Sequence, residues 1–219
     1  MSCTRDVNYY ARVTLLDWLA AVVLFLHLPI PLYWFVVHPR VNFWRRHAKA
    51  AYATGLLLSW PPVTACMAIY HAELFRSSRP PAAQVAAGLA LILFEIWIFW
   101  RVKLDLGAAR LVGQTELSGG GEIARYGIYA RLRHPRYVGS FLAILGACLI
   151  AGTRAMWVAG TVWTALTLAA ISFEERELSI RFGAAYKEYS RSVPRFIPRL
   201  NPRLNPGRAV GNSLPGNRR

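Results

Sequence analysis

The chain has 219 residues, 55% of them hydrophobic, 17% charged and 13% aromatic, with 8 Trp. That is too apolar for a disordered protein and more apolar than soluble domains, which run at roughly 45–50% apolar and about 25% charged. The three cysteines (Cys3, Cys66 and Cys148) lie too far apart for a disulfide scaffold, and no Cys/His cluster has the spacing of a structural zinc site.

A formal net charge of +15 admits either a nucleic-acid binder or a membrane protein with basic loops. The basic residues lie between long apolar runs that are nearly free of them, so the partner is a lipid bilayer and not a nucleic acid. Five such runs follow one another: 13–37, 51–70, 82–100, 138–152 and 155–173. Only helices suit them, because lipid cannot satisfy an open strand's backbone. Four of the runs are close to the ~20 residues needed to cross a hydrocarbon core. The fourth has 15 residues, which rise only about 23 Å as a helix. It either borrows Tyr137 or pairs with the fifth as a helical hairpin through Gly152, Thr153 and Arg154. The first run exceeds the ~7–15 apolar residues of a signal peptide, and no small-residue cleavage pattern follows. The sequence PIPLYWFVVHPR at its end reads as a membrane-interface belt on a retained helix, kinked at Pro29 and Pro31. The expected fold is therefore all-α: an integral membrane protein of about five transmembrane helices, the last two a short hairpin, with a cytoplasmic C-terminal segment.

Orientation follows from the basic residues. The N-terminal stretch with the second and fourth connections carries 5 Lys and Arg, while the first and third connections with the C-terminal region carry 21. By the positive-inside rule, the N-terminus is outside and the C-terminus cytoplasmic. Arg outnumbers Lys 23 to 3, a usage of GC-rich bacterial genomes, which makes the membrane a bacterial inner membrane.

Polar residues within the spans need partners. Asp17, near the outer end of the first span, is expected to snorkel to the interface. His27 in mid-span reads as a satisfied core histidine or a functional group. Glu95 lies about a turn and a half before Arg101; it is either structurally paired with an Arg or a substrate-binding carboxylate.

The chemistry gathers after residue 113. Gly119, Gly120 and Gly121 complete neither nucleotide-binding glycine motif and read as a flexible turn. In RYGIYARLRHPRYVG (125–139), Arg131, Arg133, His134 and Arg136 crowd the start of the fourth helix, and Pro135 suits a first helical turn. Free backbone N–H groups and the positive helix end make an anion site there, with Tyr129 and Tyr137 as stacking faces. The bland alternative is a lipid-headgroup contact. After the fifth run, Glu174 and Glu175 diverge by about 100° around a helix, so one faces the bundle and the other water. Glu177 and Arg181 read as an i,i+4 surface pair.

This constellation resembles the isoprenylcysteine carboxyl methyltransferases and the related membrane phospholipid and thiol methyltransferases. The resemblance covers about residues 110–200. It rests on GxYxxxRHPxYxG at Gly127, Tyr129, Arg133, His134, Pro135, Tyr137 and Gly139, on EExxL at Glu174, Glu175 and Leu178, on FGxxYxxY at Phe182, Gly183, Tyr186 and Tyr189, and on VPRFIP at 193–198. The resemblance implies an enzyme using S-adenosylmethionine, without a metal, on a lipophilic, prenyl or other membrane-associated substrate. By position it implies cofactor contacts at Gln114, Gly121, Glu122, Ile123, Ala124, Tyr129, His134, Pro135, Arg136, Tyr137, Glu174 and Glu175, with Arg133 and Glu174 positioning the reactants. In the prenylcysteine enzymes an Arg one turn before the Glu pair holds the substrate carboxylate; here Ala170 stands in that place, so carboxylate, amine and thiol acceptors all stay open. Two other classes compete: a steroid-reductase-like membrane enzyme using NADPH, and a non-catalytic lipid-binding membrane protein.

The expected organisation is a three-helix membrane region over 1–112, a cofactor-binding methyltransferase core over 113–200, and a basic disordered tail over 201–219, where N-P-R/G repeats without an apolar period.

Overall fold

The computed structural model describes residues 14–75, 80–107 and 122–198. The 201–219 tail and the glycine run 119–121 lie outside the described residues. Every regular element among the described residues is helical: α1 Leu15–His27, α2 Pro29–Val37, a 3-10 turn His38–Arg40, α3 Val41–Arg46, α4 Ala48–Ile69, α5 His71–Phe75, α6 Ala82–Leu106, a second 3-10 turn Gly127–Ala130, α7 Pro135–Ala151, α8 Arg154–Phe182 and α9 Ala184–Ser192.

Four stretches are long and apolar enough to cross a membrane: Leu15–Arg46, Ala48–Ile69, Ala82–Leu106 and Arg154–Phe182. α7 is apolar but has 17 residues. Large apolar side chains such as Leu57 and Leu58 on α4 and Leu93 and Trp97 on α6 point outward. In water such surfaces would associate; in a bilayer they meet lipid tails.

The first stretch starts with a capping box. Asp17 accepts the Thr14 backbone N–H at 2.8 Å, and the Thr14 hydroxyl accepts the Asp17 N–H at 3.3 Å. Asp17 is therefore buried in local capping, which corrects the expectation that it snorkels: the carboxylate finds donors one turn away and needs no water. At Leu28 the chain breaks between α1 and α2, because Pro29 has no N–H to continue the ladder. His27 is held at this break. Its Nδ1 donates to the Val23 carbonyl at 2.8 Å, and its own carbonyl accepts the Trp163 indole N–H at 2.8 Å. The histidine is thus a satisfied core residue.

α7 packs most extensively on α6, more than on the α8 that follows it. The reason is a stripe of small residues, Gly139, Ala143, Gly146 and Ala147, which lets the backbones approach. A Cβ at Gly146 would lie 2.7 Å from the Gly88 carbonyl oxygen and 2.9 Å from Ile92, so no side chain fits between the two helices. α7 ends at Gly152 in the left-handed region (φ +65°), and Thr153 then caps α8 while donating to the Leu74 carbonyl at 2.8 Å. α8 has 29 residues, about 44 Å of helix against a hydrocarbon core of about 30 Å. Its last turns, with Glu174 to Glu177, therefore project beyond the apolar layer.

Gly146→Val forces the α6–α7 backbones apart. Its expected cost is about 1–3 kcal/mol, the usual range for overpacking, read as a lower unfolding midpoint in detergent.

Candidate functional site

The site starts with one carboxylate. Glu175, on the projecting end of α8, accepts Arg133 Nη1 at 2.7 Å, His134 Nε2 at 3.0 Å and Arg195 Nε at 3.0 Å, and Arg195 Nη2 binds its second oxygen. Glu175 and His134 are both buried. Two backbone bonds lie alongside: Arg133 N–H to the Pro194 carbonyl at 2.9 Å, and His134 N–H to the Arg195 carbonyl at 3.2 Å. The RHP motif, the EE motif and the VPRFIP segment are thereby fixed to one another. Pro135, fully buried, opens α7 at its first turn.

The preceding loop is held from both sides. Asp105, at the end of α6, accepts the Ile128 N–H at 2.7 Å, and Gly127 (φ +57°) has no room for a Cβ beside that carboxylate. From the other side, the Tyr189 hydroxyl donates to the Tyr129 carbonyl at 2.8 Å, and Arg125 donates to the Ala185 carbonyl at 2.7 Å. Burial pushes the Tyr186 hydroxyl up to about 12 and raises that of Tyr189 as well, so α9 presents protonated tyrosines at neutral pH. Hydrogen bonding to Glu175 raises the Arg195 guanidinium above its ordinary value.

Between this assembly and α2, α4 and α6 lies a cavity of about 510 Å³, within the usual range for small-molecule sites. One half is polar: Glu122, Arg133, His134, Arg136 and Glu174 line it together with Tyr129 and Tyr137. Tyr137 donates to Glu174 at 2.7 Å, which fixes the carboxylate in the cavity wall. The other half is apolar and aromatic, built by Ile30, Tyr33 and Trp34 of α2 and by Tyr52, Leu56 and Trp60 of α4. A bare Gly55 allows the Tyr33 ring to lie against α4.

The residues singled out by sequence separate into groups. Glu122, Ile123, Ala124, Tyr129, Arg133, His134, Arg136, Tyr137 and Glu174 line the cavity. Glu175 does not line it; its contacts are with Arg133, His134 and Arg195. Glu95 lies outside the lining too, with Arg136 Nη1 3.7 Å from its carboxylate, while the Arg136 guanidinium covers the Phe99 ring at 4.9 Å. Gln114 and Gly121 lie outside the described residues. Ala170 is fully buried and turned away from the cavity. Glu177 corrects the expectation of a surface pair: it is buried and binds Arg45 of α3 at 2.5 Å, with Arg181 more distant at 3.9 Å. Periodicity shows only the i,i+4 partner, whereas the fold brings an Arg from 132 residues away. The α2 and α4 lining is missed because the α2 aromatics read as an interface belt and those of α4 as part of an apolar span. Their spacing, 30, 33, 34 and 38 with 52, 56 and 60, is nonetheless that of two helix faces.

Glu175→Ala removes the acceptor shared by the partly buried Arg133 and the buried His134, so its expected cost is about 3–5 kcal/mol of stability. Glu174→Gln keeps an acceptor for Tyr137, and its expected cost is below about 1 kcal/mol. Thermal unfolding of both variants in detergent checks the contrast.

Comparison with known proteins agrees with this geometry. Residues 83–185, from the start of α6 into α9, match the phospholipid methyltransferase family. Over 139 residues the chain is 37% identical to methanethiol S-methyltransferase 2 of Bradyrhizobium diazoefficiens, covering 55% of this chain and 52% of that protein. The chain thus spans about half the length of the curated relative it matches. No solved structure matches it. Neither a nicotinamide-dependent nor a non-catalytic membrane protein is favoured by these matches. Through the segment that carries the RHP and EE motifs, the chain is similar to the phospholipid methyltransferase family and to a methanethiol S-methyltransferase.

Proposed function

We propose that the chain is an integral membrane methyltransferase that uses S-adenosylmethionine, held in the polar half of the cavity, to methylate a lipophilic acceptor seated in the aromatic half. The observation that carries this reading is the continuity of the two halves. One space of about 510 Å³ offers ring faces, cations and a carboxylate at one end and an apolar, membrane-level wall at the other.

The donor set fits the cofactor group by group. Tyr129 and Tyr137 offer faces for an aromatic base, and Arg133 and Arg136 at the start of α7 offer charge for a carboxylate. Glu174, aimed by Tyr137, offers a partner for an ammonium or sulfonium. Glu122 to Ala124 line the adjoining wall. When bound, the cofactor supplies a methyl group on a positively charged sulfur. The protein's part is to align the acceptor with that methyl and exclude water, so proximity and desolvation dominate the rate. Glu175 acts through Arg133 and His134, as a positioning residue.

The acceptor class follows from the other half. Carboxyl methylation of a prenylated cysteine has no support from Ala170, which is buried away from the cavity. A thiol is favoured as the acceptor by the similarity to a methanethiol S-methyltransferase.

The basic excess supports a cytoplasmic location of the polar half, on the side where S-adenosylmethionine is made. A reporter joined after residue 198 is expected to be active only as a cytoplasmic fusion; activity of a periplasmic reporter there contradicts the orientation.

S-adenosylhomocysteine is expected to raise the unfolding midpoint of the detergent-purified protein, while NADPH is not. Glu174→Gln is expected to weaken that binding by about 1–3 kcal/mol, the cost of a lost charged hydrogen bond. Tyr137→Ala, which removes the ring and the hydroxyl that aims Glu174, should abolish methyl transfer with the protein still folded. Stabilisation by NADPH, or normal S-adenosylhomocysteine binding by both variants, would contradict the assignment.

A further inference from the structure

His38 forms the first residue of the 3-10 turn that ends α2, and Pro39 follows it. Its side chain is buried, with 6% exposed, and lines the cavity. Neither ring nitrogen has a hydrogen-bond partner among the described residues. That is unusual for a buried imidazole, which ordinarily satisfies at least one nitrogen. The contrast within this chain is direct: His27 and His134 both have partners. The ring is nonetheless fixed, stacked on Trp34 with centroids 4.6 Å apart and an interplanar angle of 21°. It shares the cavity lining with Trp34 and Tyr33 of the aromatic half and with Glu174 of the polar half.

We propose that His38 is the general base of the acceptor site, taking the proton from a thiol held against Trp34, Tyr33 and Tyr52. This rests on the methyltransferase reading and names the acceptor class for it. A thiol crosses into an apolar lobe uncharged, whereas a carboxylate or an ammonium pays a desolvation penalty there. Its ordinary pKa, about 8.5, is about two units above that of imidazole, so one histidine suffices to carry the proton; an ammonium at about 10.4 lies about four units away, and a carboxylate needs no base. In the step, the S–H bond breaks and its proton passes to a ring nitrogen of His38. The acceptor sulfur forms a bond to the methyl carbon of the sulfonium donor, and the breaking carbon–sulfur bond returns its electron pair to the donor sulfur. The products are a methyl thioether, a neutral donor thioether and a protonated His38, which gives its proton to water after product release.

The test compares two acceptors that differ in whether a base is needed: an alkanethiol, protonated at neutral pH, and a nitro-substituted thiophenol, already ionised. Wild type, His38→Gln and His38→Asn are assayed with both, and S-adenosylhomocysteine binding is measured for each. Both variants are expected to bind S-adenosylhomocysteine as wild type does and to lose about 100-fold or more in kcat with the alkanethiol, while the thiophenol rate stays within about threefold. Equal losses with the two acceptors, an unchanged alkanethiol rate, or no turnover of either thiol by a wild-type protein that binds S-adenosylhomocysteine would overturn the proposal. Absence of S-adenosylhomocysteine binding in wild type would instead overturn the methyltransferase reading, and the proposal with it.

Discussion

The site depends on the Glu175 carboxylate. Residues 133–134 and 195 are remote from residue 175 in sequence, and this one buried anion collects the donors of both segments. A carboxylate removed from water is costly unless its lone pairs are met, so a partial set of these bonds is worse than none. The consequence is cooperative: with the set complete, the start of α7, the end of α8 and the segment after α9 have one relative position. Glu174, one residue earlier and about 100° around the helix, is then presented to the cavity. The acidic pair divides the work, one residue building the wall and the other facing the ligand.

Helix lengths set the level of that wall. α8 is about 44 Å long, well beyond an apolar layer of about 30 Å, so its carboxylates stand clear of the hydrocarbon. α7, at 17 residues, is too short to cover the same distance. Glycine-mediated contact with α6 compensates, giving α7 a broad partner where its length alone would leave it poorly anchored. The break at Leu28 and Pro29 then tilts α2 so that its aromatic face, with that of α4, closes the cavity on its apolar side. Polar and aromatic side chains thereby line a single space.

A second buried anion shows the same economy. Glu177 joins α8 to the end of the first spanning stretch through Arg45 and carries Arg181 at longer range. α3 and the His38 turn are thereby tied to the helix that carries the acidic pair. Residues that contribute nothing to a ligand thus place those that do.

The all-helical character, the apolar runs and the RHP and EE motifs were legible in the sequence, because each is local: lipid forces helices, and a motif is a matter of spacing within a few turns. The break at Pro29 was legible for the same reason, since a missing N–H acts on its own ladder. Tertiary structure alone decided the partners. Periodicity paired Glu177 with Arg181 because i,i+4 is all that it can see, and Arg45 arrives from the other end of the chain. Burial of Asp17 in its own cap, and the choice of Arg136 as the partner of Glu95, turned on helix rotation and capping geometry that composition does not encode. The α2 aromatics read as an interface belt, and those of α4 as part of an apolar span, because belt, span and cavity wall use the same residue types; only the approach of the two helices, permitted at Gly55, turns them inward. Charge counts and spacings fix what a residue is able to do, and which of those things it does is settled by the neighbour that folding brings to it.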